Sequence, residues 1–391
     1  MKILLVRPRP HKETIGLQSV MICEPLELMQ LSAVFKANNH EVEIVDMILE
    51  RKPIEYFVRK FSPELVGITG YISHIGIMKE YAETIKKINK NIKVAVGGVH
   101  ATVCPEDFKC EYIDYVARSA EDLYKFSNCE DESVRYADRN LPERYTEKYY
   151  YLFANKCALI KTSFGCPYNC NFCFCKEVSR YKARDIDDVI AELLQIPQKE
   201  VYIVDDDFLF NRERLLEFSD KIKEKKIEKN FLVYGRADFI AANEDIIETL
   251  SKVGLNSVIV GIEASTQNEL DKFNKKSKLE DNEKAVRTLK KYGIECYATI
   301  ILGVDWDKKD FKNLYSYIKH LGLVFVNLQP FTPMPGTPYF DEYKDRLIIP
   351  YNEHEKWDMA HLVIKPEKIS AGRYYFEILK LYYKITIMPK N

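Results

Sequence analysis

Two stretches of the chain alternate short apolar runs with amphipathic helical segments, and this pattern constrains the fold more than any other feature. In the first stretch, the apolar runs at 2–6, 65–70 and 92–100 are separated by segments with helical periodicity. The alternation resumes at about residue 157. Strands that are apolar on both faces and separated by helices form parallel sheets covered by helices. The chain is therefore predicted to be an α/β protein with two successive parallel-sheet domains.

The first stretch, residues 1–125, predicts a doubly wound, Rossmann-like domain. In such domains the ligand lies beyond the carboxyl ends of the strands. Glycines at those ends let the backbone approach a bulky ligand, although they could equally be ordinary turn glycines. The candidate residues at these ends are Thr69, Gly70, Gly97, Gly98, His100 and Thr102.

The second stretch, residues 157–340, predicts a partial (β/α)6 barrel, whose reactive face is the C-terminal one. Residues 126–156 are polar and rich in tyrosine, and we interpret them as a linker. Residues 341–391 are interpreted as a small helical C-terminal cap. The six strand-like runs of the barrel are 157–163, 201–207, 231–237, 257–264, 295–303 and 323–331.

Charge and hydropathy exclude several classes of protein. The 58 basic and 59 acidic residues give a formal net charge of -1, which does not indicate a nucleic-acid partner. No run reaches the roughly 18 apolar residues of a membrane span, and the N-terminus lacks the apolar region of a signal peptide. We expect a cytoplasmic protein. Cysteines in that reducing compartment are more often metal ligands or catalytic groups than disulfides.

Four of the ten cysteines lie within ten residues, in the segment FGCPYNCNFCFC. The spacing Cys166-x3-Cys170-x2-Cys173 follows a strand-like run and suits the closely spaced thiolates of an iron–sulfur cluster. Three ligands on a four-iron cluster leave one iron open. A zinc site or a closed four-cysteine cluster would need a fourth ligand, for which Cys175 is the candidate. Cys173 and Cys175 are alternate residues, and in an extended loop we expect them to point apart.

The cysteine spacing resembles the signature of the radical S-adenosylmethionine (SAM) superfamily. Phe172, before the third cysteine, and the preceding Gly-Cys-Pro are also typical of that superfamily. The resemblance implies a [4Fe-4S] cluster on Cys166, Cys170 and Cys173. It also implies that SAM binds the open iron and is cleaved reductively to a 5′-deoxyadenosyl radical, with flavodoxin or ferredoxin as electron donor.

Later strand ends extend the resemblance over residues 157–340. VDDDF (204–208), RAD (236–238) and GIEAST (261–266) resemble the second, third and fourth barrel strands of the superfamily. The alternative for the aspartates is an N-cap of the helix expected from residue 211, with either Asp205 or Asp207 in each role. GVDWDK (303–308) departs from the turn found in many members. The residues to which the resemblance assigns SAM contacts are Phe172, Asp207, Arg236, Glu263 and Ser265.

The domain order adds a second cofactor. GGVHATVCPEDF (97–108) resembles a segment of the cobalamin-binding class of the superfamily, which includes the anaerobic magnesium-protoporphyrin oxidative cyclase. The resemblance implies that cobalamin binds at the strand ends of residues 1–125. None of the seven histidines lies in an Asp-x-His-x-x-Gly motif, so cobalamin should bind without a histidine lower ligand. His100 would then be a residue at the rim of the site.

These features predict a cobalamin-dependent radical SAM enzyme, most directly a C-methyltransferase. The adenosyl radical would abstract hydrogen from an unactivated carbon, and methylcobalamin would deliver the methyl group. One alternative uses the same cofactors for oxidative cyclisation or rearrangement without methyl transfer. Another is an iron–sulfur electron-transfer or sensor protein. The substrate class is left open among small molecules, lipids and protein residues.

Overall fold

The computed structural model describes residues 1–387, and the chain forms two compact units. The N-terminal unit comprises Met1–Ala158 together with Tyr351–Asp358, and the C-terminal unit comprises Leu159–Pro350 and Met359–Asn391. The last four residues of the predicted cap, 388–391, lie outside the described part. Among the described helices, none combines the length and the apolar character needed to cross a bilayer.

The N-terminal unit is built on a five-stranded sheet. Its strand order is β3-β1-β4-β5-β6, and every neighbouring pair is parallel. The inner strand β1 (Lys2–Arg7) is fully buried at Ile3, Leu4, Leu5 and Val6. This confirms the predicted Rossmann-like sheet. Its strands are β1 (Lys2–Arg7), β3 (Glu41–Asp46), β4 (Leu65–Thr69), β5 (Lys93–Gly97) and β6 (Tyr115–Val116), and its helices are α1 (Leu26–Ala37), α2 (Ile54–Phe61), α3 (Ile75–Ile88), α4 (Val99–Val103) and α5 (Ala120–Phe126).

The segment predicted as a linker, 126–156, lies within the N-terminal unit. It contains α6 (Glu143–Thr146) and an antiparallel sheet in which β2 (Met21–Ile22) pairs with β7 (Tyr150–Tyr151) and β7 pairs with β8 (Ala154–Asn155). The linker interpretation missed this because the segment's apolar anchors are tyrosines. Two of them are buried, Tyr145 and Tyr149.

The C-terminal unit holds a six-stranded sheet with the sequential order β16-β15-β14-β13-β12-β9. The pairs from β12 to β16 are parallel, as in a partial (β/α)6 barrel. Each of the six predicted strand-like runs overlaps one of these strands. The strands are β9 (Ala158–Ile160), β12 (Glu200–Ile203), β13 (Asn230–Arg236), β14 (Leu255–Glu263), β15 (Glu295–Leu302) and β16 (Phe325–Pro330), and a separate antiparallel pair is formed by β10 (Ser163–Phe164) and β11 (Lys182–Ala183).

The helices of this unit connect the strands. They are α7 (Cys175–Val178), α8 (Ile186–Leu193), α9 (Arg212–Glu224), α10 (Ala237–Ala242), α11 (Glu244–Ser251), α12 (Gln267–Lys272), α13 (Leu279–Lys291), α14 (Lys308–Leu321), α15 (Pro338–Tyr343) and α16 (Ala371–Thr386). Helix α16 buries Tyr374, Ile378, Leu381 and Ile385. The predicted cap 341–391 is not one body, because Tyr351–Asp358 belongs to the N-terminal unit.

Candidate functional site

The cysteine loop follows β10 and brings its sulfur atoms to one small cavity. Cys166, Cys170, Cys173 and Cys175 all line this cavity, together with Tyr168 and Lys176. The loop begins at Gly165, whose φ of +65° favours glycine. A Cβ there would lie 2.4 Å from the carbonyl oxygen of Ser179, so a larger residue cannot be placed without moving the backbone. The structure thus brings the three predicted ligands, and Cys175 with them, to one cavity.

Neighbouring backbone holds the loop in place. The Asn171 amide donates to the Phe273 carbonyl at 3.0 Å, and the Asn274 side chain donates to the Asn169 carbonyl at 2.7 Å. Phe172 packs edge to face on Phe273, with ring centroids 5.2 Å apart. In this structure Phe172 thus fixes the loop against the turn after α12.

Cys175 does not point away from Cys173, so that expectation is wrong. Helix α7 begins at Cys175, and the local turn brings its thiol to a hydrogen bond with Cys173. The Cys175 sulfur also lies 3.5 Å from Asp206 Oδ1. The alternation rule failed because the segment is helical and not extended. All four cysteine residues of the loop therefore line the cavity.

Burial controls the protonation of these thiols. It raises the pKa of Cys166 to about 11 and also raises that of Cys170. The hydrogen bond from Cys175 lowers the pKa of Cys173 to about 7. Thiolates are the metal-binding form, and a bound metal supplies the charge that removes their protons. A loop of close, half-buried thiols fits a metal cluster.

Arg236 lies at the end of β13, beside the cavity. Its Nη1 is 3.8 Å from Cys170 Sγ, and its guanidinium group lies 3.9 Å from the Tyr168 ring centroid. Two further bonds, at 3.0 and 2.8 Å, join it to the Asp238 carboxylate, and Nη2 also donates to the Lys275 carbonyl. Most of its donors are thus engaged within the chain. Of the guanidinium nitrogens, Nη1, which faces the Cys170 sulfur, is the least engaged in hydrogen bonds.

Glu263 is the last residue of β14, and its backbone conformation is unusual. Its φ is +60°, and the strand register shifts between Gly261 and Glu263. Its carboxylate accepts a 2.8 Å hydrogen bond from the Lys275 ammonium, and both side chains are buried. Ser265 lies two residues further along the chain and is partly exposed. A left-handed non-glycine residue at a strand end is a feature that clusters at functional sites.

Two of the three aspartates after β12, Asp205 and Asp207, differ in their contacts. Asp205 accepts bonds of 2.6 Å from the Thr162 amide and hydroxyl and one of 2.7 Å from Ser163. Asp207 is buried, and neither of its carboxylate oxygens has a hydrogen-bond partner. Burial raises the pKa of Asp207 to about 8, although Arg236 and Lys275 act to lower it. The alternative that an aspartate caps the following helix is wrong, because Asn211 caps α9 by accepting from the Arg214 amide.

In the N-terminal unit, the strand ends after β4 and β5 meet. The Gly70 amide donates to the Gly97 carbonyl at 3.4 Å. Gly98 has φ of +105°, and a Cβ there would lie 2.5 Å from the Gly70 carbonyl oxygen and 3.0 Å from Thr69 Oγ1. The predicted residues Thr69, Gly70, Gly97 and Gly98 are therefore adjacent at one edge of the sheet.

His100 and Thr102 lie on α4, directly after this edge. Thr102 donates to the Arg118 carbonyl at 2.8 Å, which ties α4 to the end of β6. His100 is buried, and its Nε2 is 2.7 Å from Asp107 Oδ2. The imidazole thus contacts Asp107 of its own chain, and its position at the rim of a cobalamin site stays a prediction.

Sequence reasoning missed two site residues and left one turn unexplained. Tyr168 lies under Arg236, and Lys275 pairs with Glu263, yet neither has a distinctive local pattern. In the turn at 303–308, which departs from the superfamily pattern, the Trp306 indole donates to Glu269 at 2.6 Å and Asp307 caps α14. This turn therefore has a structural role within the chain.

Comparisons with known proteins define the class. Residues 160–318 match the model of the Radical SAM superfamily, and residues 13–125 match that of the B12 binding domain. The C-terminal unit is therefore a radical SAM domain. The chain as a whole combines it with a B12-binding domain, and it belongs to the cobalamin-binding radical SAM proteins.

Several known proteins are similar to nearly the whole of this chain. The chain is 26% identical to an uncharacterized methyltransferase of Pyrococcus horikoshii, over 100% of this chain and 93% of that protein. It is 23% identical to the hopanoid C-3 methylase of Methylococcus capsulatus, over 97% and 79%. It is 24% identical to the anaerobic magnesium-protoporphyrin IX monomethyl ester cyclase of Rubrivivax gelatinosus, over 98% and 77%.

A solved structure supports the fold. The radical SAM methyltransferase TsrM from Kitasatospora setae, solved with cobalamin and a [4Fe-4S] cluster, superposes with a TM-score of 0.72 at 16% identity. The match covers 99% of this chain and 91% of that one. This likeness confirms the predicted pair of domains.

Proposed function

We propose that this protein is a cobalamin-dependent radical SAM enzyme that transfers a methyl group to an unactivated carbon. One observation carries the proposal. The sulfurs of Cys166, Cys170 and Cys173 line one cavity, in a chain whose other unit matches a B12-binding domain. Relatives named as methyltransferases, similar over almost the whole chain, favour methyl transfer as the outcome.

Cys166, Cys170 and Cys173 would hold a [4Fe-4S] cluster with one iron open to SAM. When bound, the cluster and SAM supply a 5′-deoxyadenosyl radical for hydrogen abstraction, and cobalamin supplies the methyl group. The Arg236 guanidinium, 3.8 Å from Cys170 Sγ, favours the thiolate form of that ligand. The Tyr168 ring makes a cation–π contact with the Arg236 guanidinium.

Asp207 is the clearest candidate for contact with SAM. Its carboxylate is buried, has no hydrogen-bond partner and lies in the electrostatic environment of Cys166. A buried carboxylate without a partner is unstable unless a cationic group joins it, and SAM carries a sulfonium and an ammonium group. Glu263 and Ser265 at the end of β14, and Phe172 in the cysteine loop, are further candidates.

Cobalamin would bind at the edge formed by Thr69, Gly70, Gly97 and Gly98, with Thr102 fixing the adjacent helix. No histidine lies in an Asp-x-His-x-x-Gly motif, so none is expected as the lower ligand of cobalt. The substrate is proposed to be a small molecule, a lipid or a protein residue, and the electron donor a flavodoxin or ferredoxin.

A second candidate is oxidative cyclisation without methyl transfer. It is favoured by the similarity to the magnesium-protoporphyrin cyclase over 98% of this chain. Anaerobic reconstitution with iron, sulfide, hydroxocobalamin and SAM under reduction tests both candidates. Formation of 5′-deoxyadenosine together with S-adenosylhomocysteine supports methyl transfer. Formation of 5′-deoxyadenosine without S-adenosylhomocysteine supports the cyclase. If the protein has an intact cluster and forms neither product, both candidate functions are excluded.

A further inference from the structure

A cluster of metal-ligating side chains, one of them buried and three partly buried, lies in the N-terminal unit. It comprises His100 and Cys104 on and after α4, Asp107 in the following 3-10 turn, and His354 in the segment Tyr351–Asp358. His100, Cys104 and Asp107 each offer one donor atom, and these three atoms lie within 4.8 Å of one another. None of the chemistry proposed above uses them as a group.

His354 supplies a fourth donor. Its Nε2 lies 3.8 Å from Asp107 Oδ2, which is too long for a hydrogen bond. This nitrogen is buried and has no hydrogen-bond partner. A buried imidazole nitrogen left without a partner in a group of potential ligands is the observation that points to an additional ion.

We propose that His100, Cys104, Asp107 and His354 form a structural zinc site. The donor set of two imidazoles, one thiolate and one carboxylate matches the nitrogen, sulfur and oxygen ligands of Zn²⁺, and four protein ligands give a closed tetrahedral site. The spacing His100-x3-Cys104-x2-Asp107 supplies three donors from one short segment, and His354 is remote in sequence.

Small shifts would convert the present contacts into coordination. The proton between His100 Nε2 and Asp107 Oδ2, now 2.7 Å apart, would be displaced by the ion, and the Cys104 thiol would lose its proton. The Tyr351 hydroxyl donates to Asp107 Oδ2 at 2.5 Å and would orient the carboxylate, as hydrogen-bond partners of metal ligands commonly do.

Such an ion would fasten the segment Tyr351–Asp358 to α4. Three hydrogen bonds already hold the segment. The Tyr351 hydroxyl donates to Asp107, the Ile15 amide donates to Asp358 at 2.7 Å, and the Thr14 hydroxyl donates to the Glu355 carbonyl at 2.8 Å. A metal bond from His354 would add a stronger link. The inference does not rest on the proposed function, since zinc can be counted whether or not the enzyme is active.

The test uses the full chain reconstituted with its iron–sulfur cluster, to which Zn²⁺ alone is added before a wash with a weak chelator. Zinc and iron are then counted by mass spectrometry. We expect one zinc per chain in the wild type. Cys104→Ser and His354→Gln should lower retained zinc at least about tenfold. Cys110→Ser, in the same unit, should retain it, and the iron content should be equal in all four proteins.

X-ray absorption at the zinc edge of the wild type gives a readout that does not depend on variants. We expect one sulfur at about 2.3 Å and nitrogen or oxygen ligands at about 2.0 Å. A sulfur-rich zinc shell would mean that the ion occupies the cysteine loop, and it would overturn the proposal. The same holds for a wild type without retained zinc, or for a Cys104→Ser/His354→Gln variant that keeps it.

Discussion

The Lys275 ammonium group donates a 2.8 Å hydrogen bond to the Glu263 carboxylate, and both side chains are more than nine-tenths buried. This pair joins the end of β14 to the turn that follows α12. That turn also carries Phe273, whose carbonyl accepts the Asn171 amide of the cysteine loop. The buried pair thus connects the strand ends proposed to bind SAM with the loop proposed to hold the cluster.

Loss of one partner should destabilise the C-terminal unit. Lys275→Met leaves Glu263 buried without its counter-charge, which costs about 3–5 kcal/mol of unfolding free energy. Urea unfolding of the full chain measures the change. Lys276→Met, at an exposed neighbouring position, is the matched control and should stay within about 0.5 kcal/mol of the wild type. Equal stabilities for the two variants would contradict the role of the pair.

The cysteine variants decide the ligand count. Cys166→Ala, Cys170→Ala and Cys173→Ala should each abolish reductive SAM cleavage and lower the iron content, because a three-ligand cluster cannot lose one thiolate. Cys175→Ala should keep the cluster. Iron analysis and electron paramagnetic resonance of the reduced protein measure both. Loss of the cluster signal in the Cys175 variant would show that four cysteines are ligands.

Asp207→Asn should weaken SAM binding without changing iron content. Removal of a charged hydrogen-bond partner costs about 1.5–3 kcal/mol, roughly a 10- to 100-fold loss of affinity. Equilibrium binding of SAM to the reconstituted protein measures it. Asp220→Asn, with an exposed side chain, is the control and should bind as the wild type does.

The same residue predicts a pH dependence. Burial raises the pKa of Asp207 to about 8, so below that pH the carboxyl group is largely protonated and cannot pair with a cation. SAM affinity of the wild type should therefore rise as pH increases towards about 8 and then level off. In Asp207→Asn this rise should be absent. An identical pH profile in both proteins would rule out Asp207 as the titrating group.

Gly98→Ala should impair cobalamin retention. Gly98 has φ of +105°, and an added Cβ would lie 2.5 Å from the Gly70 carbonyl oxygen, so the edge between β4 and β5 must deform. Gly76→Ala, at an exposed position of α3, is the matched control, because no atom lies within 4 Å of the position its Cβ would take. Cobalamin absorbance after gel filtration measures retention, with iron content as the internal reference. Equal retention by both variants would place cobalamin elsewhere.

The sequence predicted those parts of the molecule that depend on local pattern. Strand–helix alternation located both parallel sheets, and cysteine spacing located the loop, because each signal lies within a few residues. Contacts between distant residues could not be found in this way. Lys275 and Tyr168 acquire their roles only from the folded position of Glu263 and Arg236. The return of Tyr351–Asp358 to the N-terminal unit likewise has no local signal.

Other predictions failed because a general rule for reading sequences did not hold in the local structure. The segment 126–156 appeared to be a linker because its buried anchors, Tyr145 and Tyr149, are amphipathic tyrosines in a charged context. Cys173 and Cys175 were expected to point apart, but the start of α7 at Cys175 replaces strand geometry with helical geometry.

The central claim is methyl transfer through cobalamin, and isotope labelling tests it most directly. The reconstituted enzyme, with its cobalamin reduced, is incubated with SAM that carries a trideuterated methyl group, and the corrinoid is extracted in the dark. Mass spectrometry should find methylcobalamin with the trideuteromethyl group, and an equal amount of S-adenosylhomocysteine. Unmethylated corrinoid, in a sample that still forms 5′-deoxyadenosine, would contradict the claim and favour the cyclase alternative.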